Sequence, residues 1–586
     1  MMNIDRTQSN NTISYKKQIP LKNSKQLAFK GVGSALTKAV NASFKFLADE
    51  PVWGATIIDV GSMVIPRTAI DGKKRGFNAG FETGFRESES SANDAAIGLY
   101  GVGAGTLIAG AINKKHDVKA HTIFASDDAT NVYSEKWIKH NGNIDNYTRD
   151  IVDNIEAFNP NSSNADARGY VKIAEEHKQG IIDDLKYIAE GDRTKMPDRW
   201  KTARDRLSAK LLEATGVEDG FRLVDKNGAV QKATVSNSKT LMDNFYHLTK
   251  AFKSDKVTDK VPELIKDYKK FAKSRTILGI ATAALFAVIA QPLNVYLSKK
   301  RTGSDGFVGV EGGKKDTSKE FKALKLASSL GMIGISLASM GALSKNPLKI
   351  PKLFIEKNQY KGKNPTINHF KTVFGLAIAS RLLTARSRDE FREVNVKDVF
   401  GFFNWLILGS VFNKLILYKF QAKGANLLKF APKGTNNGFI YNHIGKTGRK
   451  VYDFLTSSIA THSEVISAGL KKERPDIKSM VKPDGKVMKF SEMYKLLPKG
   501  GATRKNLRLL NIAQFGGYLY SGLMLGIGIP HLNIYITNKR DEHKKAKLEA
   551  LKQAAKPIAP VLSEMKQVNK KMDKTVFGQF KRDVEY

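Results

Sequence analysis

Asn294 and Asn533 stand where polar groups are costly. Each follows a proline, Pro292 and Pro530, near the end of a long apolar run. Proline inside a helix removes one backbone donor and frees a carbonyl. Amide side chains beside such breaks, with Gln291 and His531 close in sequence, have the composition of a polar cavity for an ion or small solute, as in broken-helix transporters. The plainer reading is the one the pattern favours: an interfacial anchor. The Asn caps, the adjacent Tyr296 or Tyr535 lies at headgroup level, and Lys299-Lys300-Arg301 or Lys539-Arg540 contacts anionic lipid from the water side.

Asp59 is the third candidate. It sits inside an apolar run, where a carboxylate must be paired or hydrated. Arg67 and Arg381 are the partners expected for it.

Other chemistry fails on spacing. Gly445-Lys446-Thr447 resembles the end of a phosphate loop, but the required upstream glycine position is Ile440, and Gly438 lies two residues too far. The glycine-rich segment 309–315 lacks the spacing too and reads as a connector. The ten histidines do not cluster, there is no His-Glu-x-x-His, and Gly334-Ile-Ser336-Leu-Ala338 fails as a nucleophile elbow at its last position. Cysteine is absent, which excludes disulfides, thiolate nucleophiles and Cys-ligated metals. No catalytic constellation emerges and no cofactor or metal is implied, so the chain reads as something other than an enzyme.

The elements that carry these residues are apolar and helical. Seven apolar stretches cover residues 52–66, 95–112, 276–297, 326–343, 372–383, 399–418 and 509–536. A bilayer core about 30 Å thick needs roughly 20 apolar residues in a helix. The third, sixth and seventh stretches meet that length, the second and fourth are borderline, and the first and fifth are short. In the second, Gly101 and Gly105 form a small-xxx-small pair suited to close helix contact.

Between residues 113 and 275 the pattern becomes mixed-charge and water-soluble. Helical spacing runs through Ile144, Tyr147, Ile151, Ile155 and Phe158. It continues through Tyr170, Ile173, His177, Ile181, Leu185 and Ile188, then Trp200 to Leu211, then Leu241 to Phe252. Residues 221–232, with Asn227-Gly228, read as a hairpin. A second hairpin is expected at Pro483-Asp484-Gly485.

Short segments recur in the same order. Phe85-Arg86-Glu87 and Phe391-Arg392-Glu393 each precede an apolar helix that ends in Asn-Lys. Leu207-Ser-Ala-Lys-Leu211 is echoed by Ile466-Ser-Ala-Gly-Leu470, and each precedes a hairpin. Leu293-Asn-Val-Tyr296 is echoed by Leu532-Asn-Ile-Tyr535. Collinear echoes point to an internal repeat.

Charge is uneven. The net +39 divides as about +4 in residues 1–112, about +4 in 113–275 and about +31 in 276–586. The second half therefore expects an anionic partner. The basic region 414–508, interleaved with aromatics, allows nucleic acid, but its adjacency to apolar helices favours lipid phosphate.

The fold expected is mainly α: a duplicated helical membrane-associated protein with a soluble helical insert and two small β-hairpins. Residues 1–49 form a polar tail, 50–112 the first apolar helices, 113–275 the insert, and 276–301 the helix closing repeat 1. Residues 302–369 are a connector, 370–540 repeat 2 and 541–586 a basic helical tail. The function expected is structural or interaction-based at an anionic bilayer, with the insert as a protein-binding surface and the basic segments cytoplasmic. A two-repeat transporter or channel is the first alternative, and a soluble nucleic-acid-binding protein the second.

Overall fold

The computed structural model describes residues 59–555 apart from 192, 194, 225–236, 309–313, 405–407, 422–426 and 433–444, together with positions 43, 567 and 570. The expected N-terminal tail, the Asn227-Gly228 turn, the start of the first apolar stretch and most of the C-terminal tail lie outside the described residues.

The fold is mainly α with two small antiparallel sheets. A helix bundle forms one end and two packed water-facing units form the other. In the bundle, α1 (Ile65–Arg75) turns at Gly76 into α2 (Phe77–Ile108) and then α3 (Gly110–His116). Gly76 has φ 90°, a backbone conformation that glycine adopts without strain.

The first water-facing unit follows. Its helices are α4 (Asp127–Lys139), α5 (Ile144–Asp153), α6 (Glu175–Glu190), α7 (Pro197–Thr215) and α8 (Ser238–Phe252). Its strands are β1 (Ile155–Phe158), β2 (Tyr170–Lys172) and β3 (Phe221–Leu223), in the order β2-β1-β3. Two periodicity readings are corrected here. Ile155, Phe158 and Tyr170 lie on strands, not on continuations of helices. Phe221–Leu223, the start of the expected hairpin, pairs antiparallel with β1. Helical spacing could not separate these because the helix α5 ends only two residues before β1 begins.

The chain returns to the bundle through α9 (Val261–Thr302), which packs antiparallel along α2. Asn93 Nδ2 reaches the Ala283 carbonyl at 3.1 Å, and Asn294 Nδ2 reaches the Glu82 carbonyl at 3.1 Å. Next come α10 (Lys319–Ser339), the short α11 (Ile350–Lys357) and α12 (Ile367–Thr384), with α10 and α12 packed as a hairpin.

The second half of the bundle continues from α12 into α13 (Arg388–Val394). A π-helical turn, Asn395–Val399, leads to α14 (Phe400–Phe403) and α15 (Gly409–Gln421). Residues 405–407, within the sixth apolar stretch, lie outside the described residues. A second water-facing unit holds β4 (Leu428–Lys429), α16 (Lys446–Thr456), β5 (Ser458–Ile459), α17 (His462–Glu473) and α18 (Phe490–Leu496). The Pro483-Asp484-Gly485 turn is present, closed by the Val481–Val487 bridge with Gly485 at φ 77°. The return helix is α19 (Ala502–Ser521), a π-helical stretch Gly522–Gly528, and α20 (Ile529–Ala555).

The two water-facing units pack on each other. Ala209 and Leu212 of α7 share a core with Ile466 and Leu470 of α17. Lys471 donates to the Glu213 carbonyl at 2.5 Å, and Thr461 donates to the Glu218 carboxylate at 2.9 Å. Both insertions therefore leave the bundle at one end.

Among the described residues, three helices are long and apolar enough to cross a membrane: α9, α10 and the continuous run 502–553. α2 with α3 makes a fourth if the pair, bent by 56°, counts as one span.

Candidate functional site: a buried ionic network

The end of the bundle away from the water-facing units holds charge where an apolar core would be expected. At the α1–α2 turn, Arg75 reaches across to Glu393 at the end of α13, with its two guanidinium nitrogens 2.9 and 2.6 Å from the carboxylate oxygens. At the α12–α13 turn, Arg386 reaches back to Glu82 on α2 and also holds Glu390 at 2.9 Å. Each half thus supplies the arginine for the other half's glutamate.

The return helices complete the same pattern twice. Ser298 donates to the Glu82 carboxylate at 2.5 Å and Asn294 to its backbone carbonyl. Thr537 donates to the Glu393 carboxylate, and Asn533 donates to its carbonyl at 3.3 Å. Both asparagines are buried, while the neighbouring Tyr296 and Tyr535 are each 60% exposed. The tyrosines occupy the outward positions expected of interfacial residues. The amides point inward.

Further along α2, Glu87 is held by Arg67 and by Lys397, each at 2.9 Å. Asp398 pairs with Arg381 at 3.1 Å. Asp59 accepts from Ser91, and its two expected arginine partners are engaged elsewhere, on Glu87 and Asp398. Glu82, Glu87, Glu393 and Asp398 thus each have a cationic partner inside the bundle, as burial of charge demands.

In these contacts Glu393 takes the place that Glu82 takes in the first half, and Glu87 does not. The matching set runs Arg75, Glu82, Arg86, Glu87, Asn93 and Gly98, and recurs 311 positions on as Arg386, Glu393, Lys397, Asp398, Asn404 and Gly409. This spacing was the missed signal. Arg75, Glu82, Glu87, Arg386 and Lys397 carry the network, and none stood out alone because charged residues beside apolar stretches read as flanks.

The helices that lead each half also reach the other half. Ser380 of α12 reaches Val288 of α9 in the first half, and Arg67 of α1 reaches the Leu525 carbonyl of the second. A cavity of about 30 Å³ opens among Asp71, Arg75, Glu82, Glu390, Lys397 and Asn533. That is room for a water or two. Asn533 lines it and Asn294 does not.

The two basic clusters meet this end. Arg301 donates to the Asn78 side chain at 2.7 Å and lies over the Phe81 ring. Lys299 faces Asp305, Lys539 lies over Tyr535, and Arg540 approaches Asp389 at 3.5 Å. Lys300 is exposed.

The outer surface is the reverse of the interior. Leu285, Phe286, Ile289 and Leu293 of α9 are 44–57% exposed, as are Phe515, Leu519 and Leu532 of the 502–553 helix. Leu326 and Leu330 of α10 continue the belt at 53% and 59% exposure. Among the described residues, no three His, Asp or Glu side chains come together as metal ligands.

Comparison with models of protein families, with curated proteins and with solved structures returns no match.

Proposed function

We propose that this is an integral membrane protein of structural or interaction type, with its paired water-facing units presented at one face of an anionic bilayer. One contrast carries the reading: the bundle is apolar outside and ionic inside. Apolar side chains half-exposed around a whole helix bundle are stable in hydrocarbon, and ionisable groups in that setting face the interior and pair. The twin Arg–Glu contacts and the recurring residues at a fixed interval support two halves derived from one duplicated unit. Both insertions leave at the same end, so the halves are related by an axis along the membrane normal, as in parallel-repeat proteins.

Fractionation tests the proposal. Release only by detergent is the expected result, and release by carbonate or high salt overturns it.

A second reading, a two-repeat transporter, draws on the cavity between the two Arg–Glu contacts. It expects flux through reconstituted protein that is lost when Asn294→Leu and Asn533→Leu are combined. Flux that survives the pair counts against it.

A further inference from the structure

Two short helices lie at the rim of the interior, with Phe454 of α16 half-buried against the core of the second water-facing unit. No side chain of α11 or of the Pro347–Lys349 turn before it is buried, and none of α16 is buried. Yet both are rich in apolar residues. Leu348 is 88% exposed, the most exposed of the large apolar side chains, and Val451 and Leu455 of α16 are 53% and 41% exposed. Ile350, Leu353, Phe354 and Ile355 are half-buried. In a water-facing position this would be an apolar patch without a purpose.

Basic residues alternate with them. Lys345, Lys349, Lys352 and Lys357 flank the first segment, and Lys446, Arg449 and Lys450 open the second. Basic residues on one side and large apolar residues on the other describe a helix lying in the plane of a membrane interface.

Both helices sit at the same level. Just beyond α11, Gln359 is bonded to Asp127 at the start of α4, and the Tyr360 hydroxyl reaches the Ile97 carbonyl of α2. This is where the bundle meets the first water-facing unit. Lys414 of α15 donates to the Leu455 carbonyl of α16 at 2.7 Å, and Tyr418 packs on Phe454. This is where the bundle meets the second. The apolar belt runs into the first site through Leu343, 51% exposed just after α10.

We propose that α11 with its preceding turn, and α16, lie in the headgroup layer next to the water-facing units and bind anionic lipid there. The apolar residues enter the acyl boundary and the lysines meet lipid phosphates. Nearby basic side chains are drawn to an anionic leaflet, and two such helices would hold the water-facing units at a fixed height and tilt. This rests on the membrane reading above and adds the residues that touch the surface.

The absence of cysteine makes the test direct, because single cysteines can be labelled in the full chain. Leu348→Cys and Val451→Cys carry a nitroxide whose depth is read from its relaxation by oxygen and by a water-soluble nickel complex. Leu285→Cys on the α9 belt and Met196→Cys on the first water-facing unit serve as references. The protein is reconstituted in vesicles of phosphatidylglycerol and phosphatidylcholine. The expected depth of labels 348 and 451 is at the phosphates, between a deep 285 and a fully aqueous 196. In phosphatidylcholine alone, labels 348 and 451 move outward and 285 does not. If 348 and 451 behave like 196 while 285 stays deep, this inference fails and the membrane reading stands. If 285 is also aqueous, the membrane reading itself has failed. An unchanged depth without anionic lipid overturns the charge recognition.

Discussion

Ser380 donates its hydroxyl to the Val288 carbonyl at 2.8 Å, and this is the carbonyl that Pro292, four residues on, leaves without a backbone donor. A helix that leads the other half thus repairs the break in its neighbour. The second half does the same by other means. Pro530 follows a π-helical stretch, in which bonds span five residues, so the carbonyl it orphans is that of Leu525. Arg67 Nε supplies the donor at 2.9 Å. Proline here creates a socket for a side chain from the other half.

Ser380→Ala is therefore expected to cost about 1–3 kcal/mol, the price of a buried carbonyl left unpaired. Pro292→Ala restores a backbone donor, so in that background Ser380→Ala should cost far less. A double-mutant cycle read by thermal unfolding in detergent measures the coupling. Additive effects would show that the hydroxyl does not serve this carbonyl.

The ionic network yields an ordering. Arg386 neutralises two buried carboxylates, Glu82 and Glu390, whereas Arg75 serves Glu393 closely and Asp71 only at 3.7 Å. Breaking one side of a buried pair costs roughly 3–5 kcal/mol, because a charge is left uncompensated. Arg386→Met should destabilise the protein more than Arg75→Met. Adding Glu82→Gln to Arg386→Met should recover part of the loss. Equal losses, or no recovery, would mean that water reaches the carboxylates.

Gly101 tests the crossing of α2 and α9. A methyl group there would collide with the Tyr360 ring, and at Gly279 a methyl would stand 3.2 Å from the Gly101 Cα. The close helix contact expected of the Gly101–Gly105 pair is thus capped by an aromatic ring from the α11–α12 connection. Overpacking of this kind costs about 1–3 kcal/mol. Gly101→Ala should lower the unfolding temperature, and Tyr360→Leu in the same chain should cost less than it does alone. A strictly additive pair would place the strain elsewhere.

Much of this architecture was legible in the sequence, and the limits are physical. Long apolar helices declare themselves by composition, so α9 and the 502–553 helix were readable from residues 276–297 and 509–536. The twin Asn-Tyr endings were readable because they are contiguous. The network was not. Its Arg–Glu partners lie 318 and 304 positions apart and on opposite halves, and a guanidinium that pairs across a bundle looks in sequence like a flanking charge. The β strands were missed for a different reason: β1 and β3 pair across more than sixty residues, so no local turn announces them.

The first water-facing unit carries its own pH dependence. His247 of α8 bonds the Thr122 hydroxyl at 3.1 Å and lies against Tyr246. Burial, and then the positive charges of Lys363, Arg193 and His121, push its pKa down from the ordinary 6.5 to about 3. The folded state thus keeps the ring neutral while the unfolded chain takes a proton below about pH 6.5. The unfolded state binds more protons in that interval, so stability falls as pH falls from 6.5 towards 3 and the contribution is intact above 6.5. Asp150 adds a separate loss at lower pH. Burial opposes its ionisation, but hydrogen bonds from Lys136, Lys139 and His140 outweigh it and hold its pKa below 3.8. Its stabilisation is present above that value and fades as pH drops further. Reading between pH 6.5 and 4.5 therefore isolates the histidine from this carboxylate. Trp200 packs on Tyr246 at 5.5 Å between ring centroids and gives a local fluorescence signal. The unfolding temperature of the native chain should decline through this window, and that of His247→Gln should decline less. Parallel slopes would show that the ring is hydrated and titrates normally in the folded protein.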